Sequence, residues 1–398
     1  MKIYVIDDDA FALRMVSHQL KALGFAETVG FEHAADAVRA LSEDPAAPNL
    51  ILLDLQMPDL DGIEFVRHLA TLKFGGGLIL VSGEDERVLQ TASTLASAYA
   101  LDVRGALTKP VSPARLKALL DAPSGAPPRV PTQPRKTYPP EEVAHAIHND
   151  ELVNYYQPKV DLRTGRVIGV EALVRWLHPT DGLVYPEQFV SVAEEHRLID
   201  PLTRTVLKNA LLQARAWRDE GADLVVAVNV SMENLAALDF PDFIERALRD
   251  AGVPNQQLVL EVTESRLSHN ARTALDIFTR LRLKRIGLSI DDFGTGHSSL
   301  AQLRIVPFDE LKIDAGFVHG ADRDASARAI VDASIAMARQ LGLTTVAEGV
   351  EVFTDWEHVR SVGCDVGQGY FIGHPMPAET FNTWLAGWNQ SLAALIPE

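Results

Sequence analysis

Both halves of this 398-residue chain read as α/β: a doubly wound five-stranded parallel domain, then a modified TIM-like (β/α) barrel. Three observations predict this. Short apolar runs alternate with helical stretches from the first residues onward, the pattern of a parallel sheet covered on both faces. A proline-dense stretch interrupts the alternation about a third of the way along. Beyond it, strand-then-helix units repeat over roughly 250 residues, the length of a barrel of such units.

In the first domain, residues 1–121, strands are expected at 3–6, 27–31, 50–53, 78–81 and 103–107, with a helix over 11–23. Residues 122–140, APSGAPPRVPTQPRKTYPP, offer almost nothing to bury and read as an extended, semi-rigid linker. The second domain, 141–398, opens with a helix over 141–150 and two strand-like runs, 155–162 and 167–174. The turn Arg163-Thr164-Gly165-Arg166 joins them into a hairpin, which makes the barrel a variant. Further strands are expected at 224–230, 258–263, 286–290, 310–313 and 344–347, with helices such as 203–220 and 326–340 between them.

The net charge is −17, and both domains share it: residues 1–121 hold 11 Lys/Arg against 17 Asp/Glu, and residues 141–398 hold 23 against 37. An acidic output domain without a basic recognition helix excludes a DNA-binding role, because duplex phosphate demands a basic face. Phosphate handled here needs cations to neutralise it. The single cysteine, Cys364, excludes a disulfide framework and a cysteine zinc cluster, and reads as a small buried hydrophobe. The five tryptophans read as packing. No run approaches the ~20 apolar residues of a membrane helix. The opening MKIYVIDDDA lacks the features of a signal peptide, so a cytoplasmic location is expected.

Chemistry concentrates at predicted strand ends. In the first domain Asp7 and Asp8 follow the first strand, Asp54 ends the third, Ser82 the fourth and Lys109 the fifth, where open α/β sheets place their sites. Three carboxylates there call for a hard divalent cation such as Mg²⁺. Asp54 is then the nucleophile toward phosphorus, Lys109 the counter-charge and Ser82 the hydroxyl beside the phosphoryl group. In the second domain the barrel strands end at Glu171, Asn229, Glu261 with Glu264, Asp291 with Asp292, Lys312 with Asp314, Glu348 with Glu351, and Gln368. The carboxyl face of a barrel is the catalytic one. So many oxygen donors point to Mg²⁺ or Mn²⁺, and adjacent aspartates let one carboxylate bridge two ions.

The first constellation, with DLQMPDLDG at 54–62, resembles the response-regulator receiver family over residues 1 to about 121. The resemblance implies phosphorylation of Asp54 by a sensor histidine kinase, in a Mg²⁺ and phosphate pocket of Asp7, Asp8, Asp54, Gln56, Ser82 and Lys109. One position departs: Ala106 stands where the family carries an aromatic switch residue.

The second constellation, EALVR (171–175), NVS (229–231), EVTE (261–264), DDFGTG (291–296), KID (312–314), AEGVE (347–351) and GQGY (367–370), resembles the EAL phosphodiesterase family over residues 141 to about 380. That resemblance implies hydrolysis of cyclic di-GMP to linear pGpG by in-line attack of water activated by two ions. It implies metal ligation by Glu171, Asn229, Glu261, Asp291, Asp292 and Glu348, with Lys312, Glu348, Asp292 and Glu171 carrying the chemistry. Substrate contacts fall to Gln157, Leu173, Arg175, Asp314, Glu351 and Gln368. A regulatory loop contains Phe293, Gly294, Thr295, Gly296 and His297, is held by Glu264, and contributes to a homodimer or higher homo-oligomer; His297 replaces the usual aromatic. The competing reading is a catalytically silent cyclic di-GMP receptor. Silent members lose a metal ligand or the lysine, and here none is missing.

Overall fold

The computed structural model describes residues 1–43, 48–58, 60–83, 86–121, 136–263, 271–295 and 300–395. The chain divides into two compact units, 1–134 and 135–398. Linker residues 122–135 and the expected regulatory residues Glu264, Gly296 and His297 lie outside the described residues.

The first unit is a five-stranded parallel sheet of β1 (Ile3–Ile6), β2 (Thr28–Phe31), β3 (Leu50–Asp54), β4 (Gly77–Ser82) and β5 (Asp102–Thr108), in the order β2-β1-β3-β4-β5. Every residue of β1, β3 and β4 is buried, as a sheet covered on both faces requires. Aspartates start two of the covering helices. Asp9 accepts from the Phe11 N–H at 2.8 Å ahead of Ala10–Ala22, and Asp61 from the Glu64 N–H at 2.7 Å ahead of Gly62–Thr71. Only glycine fits at position 62, because a Cβ there would stand 2.6 Å from the Leu55 Cα. The strand order reverses direction between β1 and β3, which places the crevice at the carboxyl ends of those two strands.

In the second unit the strands are β6 (Leu152–Asp161), β7 (Val167–His178), β8 (Gly182–Val184), β9 (Val225–Asn229), β10 (Leu258–Thr263), β11 (Gly287–Phe293), β12 (Glu310–Ile313), β13 (Thr344–Ala347), β14 (Val366–Gly367) and β15 (Met376–Pro377). Eight of them close into a ring: β6-β7-β9-β10-β11-β12-β13-β14, with β14 returning to β6. Seven run parallel, and β6 runs antiparallel to both neighbours. The expected hairpin is therefore the device that makes the barrel a variant: one of its arms enters the barrel reversed. Long helices such as Ile199–Asp219 and Ala325–Leu341 cover the outside.

Trp176, Trp217 and Trp356 are each 1% exposed, and Trp388 is also buried, so the tryptophans do pack the core. Cys364 is buried, and burial raises its thiol to about 11. The two-residue strand β14 stops just before Gln368, where the sequence expects a strand end. Among the described residues no helix is long and apolar enough to cross a membrane.

Candidate active site

In the first unit, Asp7, Asp8 and Asp54 bring carboxylate oxygens within 4.8 Å of one another, a spacing that fits one divalent cation. Lys109 stands beside them, its Nζ 2.7 Å from Asp54 Oδ2 and 2.9 Å from Asp7 Oδ2. Burial pulls the ammonium down, but its bonds to Asp54 and Asp7 outweigh that and leave it raised. Asp7 is raised by burial despite Lys109. Asp54 and Ser82 are buried, and Gln56 donates its N–H to Asp54 Oδ1 at 3.2 Å. Ala106 is exposed on β5 and pairs in register with Leu80.

In the second unit every strand of the ring brings at least one polar side chain to a common interior. Gln157 on β6 lies in register with Glu171 on β7, and Asn229 on β9 with Glu261 on β10. Asn229 Nδ2 donates to Glu171 Oε1 at 2.7 Å, and Gln368 Nε2 donates to Glu171 Oε2 at 2.7 Å and Gln157 Oε1 at 3.0 Å. Alternation along a strand puts residues two apart on one face, so Leu173 and Arg175 continue the Glu171 face toward the rim.

Asp291 and Asp292 break that alternation. β11 shifts register between Ile290 and Phe293, and Asp292 adopts a left-handed φ of 56°. The irregularity lets two adjacent carboxylates reach one site, where a regular strand would send them to opposite faces. Together with Glu348 their oxygens lie within 4.8 Å of one another.

Lys312, 1% exposed, sits at the centre. Its Nζ is 2.7 Å from Glu348 Oε1, 2.9 Å from Asp291 Oδ1, 2.9 Å from Glu261 Oε2 and 3.5 Å from Glu171 Oε2. One ammonium facing four carboxylates leaves the group short of positive charge. Burial pushes Glu171 up to about 7 and Glu348 to about 8, against the pull of Lys312. Burial also raises Asp292, with Asp291 adding to it. An all-oxygen donor set with an unmet demand for cations fits divalent metal ions of the Mg²⁺ or Mn²⁺ class.

A prediction follows from the sign of those shifts. A carboxylate raised in the folded state binds a proton that the unfolded state releases above about 4.5, so folding weakens as pH climbs toward about 8. The thermal midpoint of chelator-treated protein is expected to fall over that range. Added Mn²⁺ is expected to remove the fall. A metal-free midpoint that holds steady from pH 5 to 8 contradicts the charge shortage.

Other expected residues sit differently. Asp314 Oδ1 accepts the Gly316 N–H at 2.9 Å and caps the short helix Ala315–Val318. Glu351 is exposed, with His319 Nε2 at 4.0 Å, outside the carboxylate cluster. Phe293, Gly294 and Thr295 continue β11 into a turn, where the Thr295 N–H donates to the Asp292 carbonyl at 3.2 Å. Arg175 is buried between the rings of Tyr155 and Tyr185, 5.5 and 5.2 Å from their centroids, and its Nε lacks a hydrogen-bond partner.

Sequence reading missed a second tier beneath the site. Lys159, 5% exposed, places its Nζ 2.7 Å from Glu261 Oε1 and 3.2 Å from Glu310 Oε1, and Ser289 donates to Glu310 at 2.9 Å. Lys159 and Lys312 thus hold both oxygens of Glu261, pulling it down to about 2 although burial alone would raise it. The available signal was phase: Lys159 lies two residues from Gln157, and Glu310 two from Lys312. Asp355 was missed as well. Buried after β13, it accepts N–H groups from Gly320, Glu351 and Val352 and anchors the loop that carries Glu348.

Such a barrel, with an acidic carboxyl face around one buried lysine, behind a parallel-sheet domain with an acidic pocket and a lysine, defines a class that comparison with known proteins makes explicit. The EAL domain model matches residues 141–375 and the response regulator receiver domain model matches residues 3–121; the chain belongs to the EAL domain family, with a receiver domain ahead of it. The cyclic di-GMP phosphodiesterase RocR of Pseudomonas aeruginosa is similar almost end to end, 31% identical over 391 residues that cover 97% of this chain and 99% of RocR. The bifunctional diguanylate cyclase/cyclic di-GMP phosphodiesterase MucR of the same species is 44% identical over 239 residues, 60% of this chain but 35% of MucR, so the chain spans about a third of that protein. A solved structure described as the PaMucR phosphodiesterase in complex with c-di-GMP is 43% identical, with a TM-score of 0.58, over 61% of this chain and 98% of its own.

Proposed function

We propose that this protein is a response-regulator phosphodiesterase that hydrolyses cyclic di-GMP to linear pGpG under control of phosphorylation at Asp54. The observation that carries the reading is the set of four carboxylates, Glu171, Glu261, Asp291 and Glu348, gathered around Lys312 from β7, β10, β11 and the end of β13. Glu171, Asn229, Glu261 and Asp291 would hold one divalent ion, and Asp291, Asp292 and Glu348 a second. Bound there, the ions would supply Lewis acidity toward the phosphodiester and its attacking water.

The chain's own residues divide the remaining work. Asn229 and Gln368 donate to the two oxygens of Glu171 and hold that carboxylate still. Lys312 Nζ is a donor in a ring of acceptors, placed to orient the attacking water and to offset negative charge that grows on the phosphoryl oxygens. Water oxygen bonds to phosphorus as the bond to the 3′ oxygen breaks; a carboxylate of the ring takes the water proton, and one proton returned from the ring to the departing 3′ oxygen lets it leave as a hydroxyl. Arg175, buried with an unpaired Nε, is suited to a phosphate or a guanine carbonyl of the substrate. Arg175→Ala is expected to raise KM about tenfold with a smaller change in kcat, the pattern of lost ground-state binding. A kcat loss at constant KM would assign it elsewhere.

Buried Asp54 paired with half-buried Lys109, beside Asp7 and Asp8, supports a phosphoacceptor served by a sensor histidine kinase. Purified protein with cyclic di-GMP and Mg²⁺ is expected to release linear product, and excess chelator to stop it. Binding without turnover, phosphorylated or not, would leave the silent receptor instead. A small-molecule phosphodonor is expected to change turnover of the wild type and leave Asp54→Asn unaffected; an equal response in both rejects control through Asp54.

A further inference from the structure

The opposite, amino-terminal end of the barrel is hollow. Barrel interiors are normally filled by layers of branched apolar side chains, and that end serves packing. Here a cavity of about 430 Å³ opens among the first residues of the strands, within the size range of small-molecule sites. Its walls include Ile168, Val225 and Val259, and it reaches inward to the Lys159–Glu310 pair. Two guanidiniums border it, Arg282 from the last turn of the helix Ala271–Leu283 and Arg285 from the loop that enters β11. Arg282 pairs with Asp309 and donates to the Ile286 carbonyl at 3.1 Å, yet its Nε is buried without a hydrogen-bond partner. Arg285, exposed and at a left-handed φ of 60°, has no side-chain partner among the described residues.

The charge balance is unusual for this domain. Three cations, Lys159, Arg282 and Arg285, line the cavity against two carboxylates, Asp309 and Glu310, in a segment that otherwise holds 23 Lys/Arg against 37 Asp/Glu. Apolar walls, an unpaired cation at the edge and an unsatisfied donor select one ligand chemistry. We propose that this cavity is a second ligand site, separate from the carboxylate face, for a small organic anion. An apolar ring would lie against Ile168, Val225 and Val259, and a sulfonate, carboxylate or phosphate would meet Arg285 and Arg282. Its occupant would lie against Lys159, one side chain away from Glu261.

The test uses 8-anilinonaphthalene-1-sulfonate, an aromatic anion whose fluorescence rises on binding, with the full chain. Saturable binding at one site is expected. Arg285→Glu reverses an exposed charge and is expected to weaken binding at least about tenfold. Thr344→Trp, which plugs the exposed edge of the cavity, is expected to abolish it, whereas Asp292→Asn at the other end of the barrel leaves it unchanged. Thermal midpoints and circular dichroism establish that each variant is folded; if Thr344→Trp is not, Arg285→Glu and Asp292→Asn decide. No binding by the wild type, equal binding by the wild type and Arg285→Glu, or loss in Asp292→Asn overturns the proposal. None of these readouts depends on phosphodiesterase activity.

Discussion

Lys312→Met is expected to cut phosphodiesterase turnover by about 10²–10³-fold, the usual cost of deleting a preorganised donor at a site of developing charge. The side chain is 1% exposed and its Nζ lies within 3.5 Å of four carboxylates, of which the neighbouring Lys159 pairs only with Glu261. Loss of turnover alone would not separate chemistry from collapse. The discriminating measurement is Mn²⁺ binding by calorimetry. Removing a cation from a ring of carboxylates should leave metal affinity equal or tighter, whereas a disordered barrel would lose metal and activity together. Turnover within threefold of wild type sinks the role assigned to Lys312.

Lys159→Met is expected to destabilise the barrel by about 3–5 kcal/mol, because removing one partner of a buried ion pair strands the others. Glu261 is 0% exposed and Glu310 is half-buried, and each would lose its bond to Lys159. For a domain of this size the thermal midpoint should drop by roughly 10 °C. Adding Glu310→Gln should recover part of the loss by removing one stranded charge. The pH dependence has a definite sign. Glu261 is held at about 2 in the folded protein, so its stabilisation is present above its ordinary 4.5 and disappears as pH falls toward about 2. Lys159→Met should shrink that acid-side loss. A change in stability below 1 kcal/mol would mean that water reaches Glu261.

The two variants probe different tiers of one column of charge, and the tiers were unequally legible. Glu171, Asn229, Glu261, Asp291, Lys312, Glu348 and Gln368 sit at or near the ends of apolar runs, where a polar residue interrupts the pattern visibly. Lys159 lies inside such a run, at 152–161, and only its phase with Gln157 marks it as inward-facing. The bulge at Asp291-Asp292 has no local signature beyond two adjacent aspartates. Asp314 and Glu351 were readable as acids near the site, but not their positions. The first caps a helix, and the second stands apart from the carboxylate cluster.

Fold class and the residue types of both sites follow from the sequence alone, because they rest on local periodicity and on side chains at strand ends. What the tertiary structure decided is how the barrel closes and which charges meet inside it. Strand β6 enters reversed between β7 and β14, which sets Gln157 beside Glu171 and directs Lys159 toward Glu261 and Glu310, residues 102 and 151 positions away in the chain. Contacts at such separations leave no trace in local pattern, since they arise only when a sheet curls round to pair its last strand with its first.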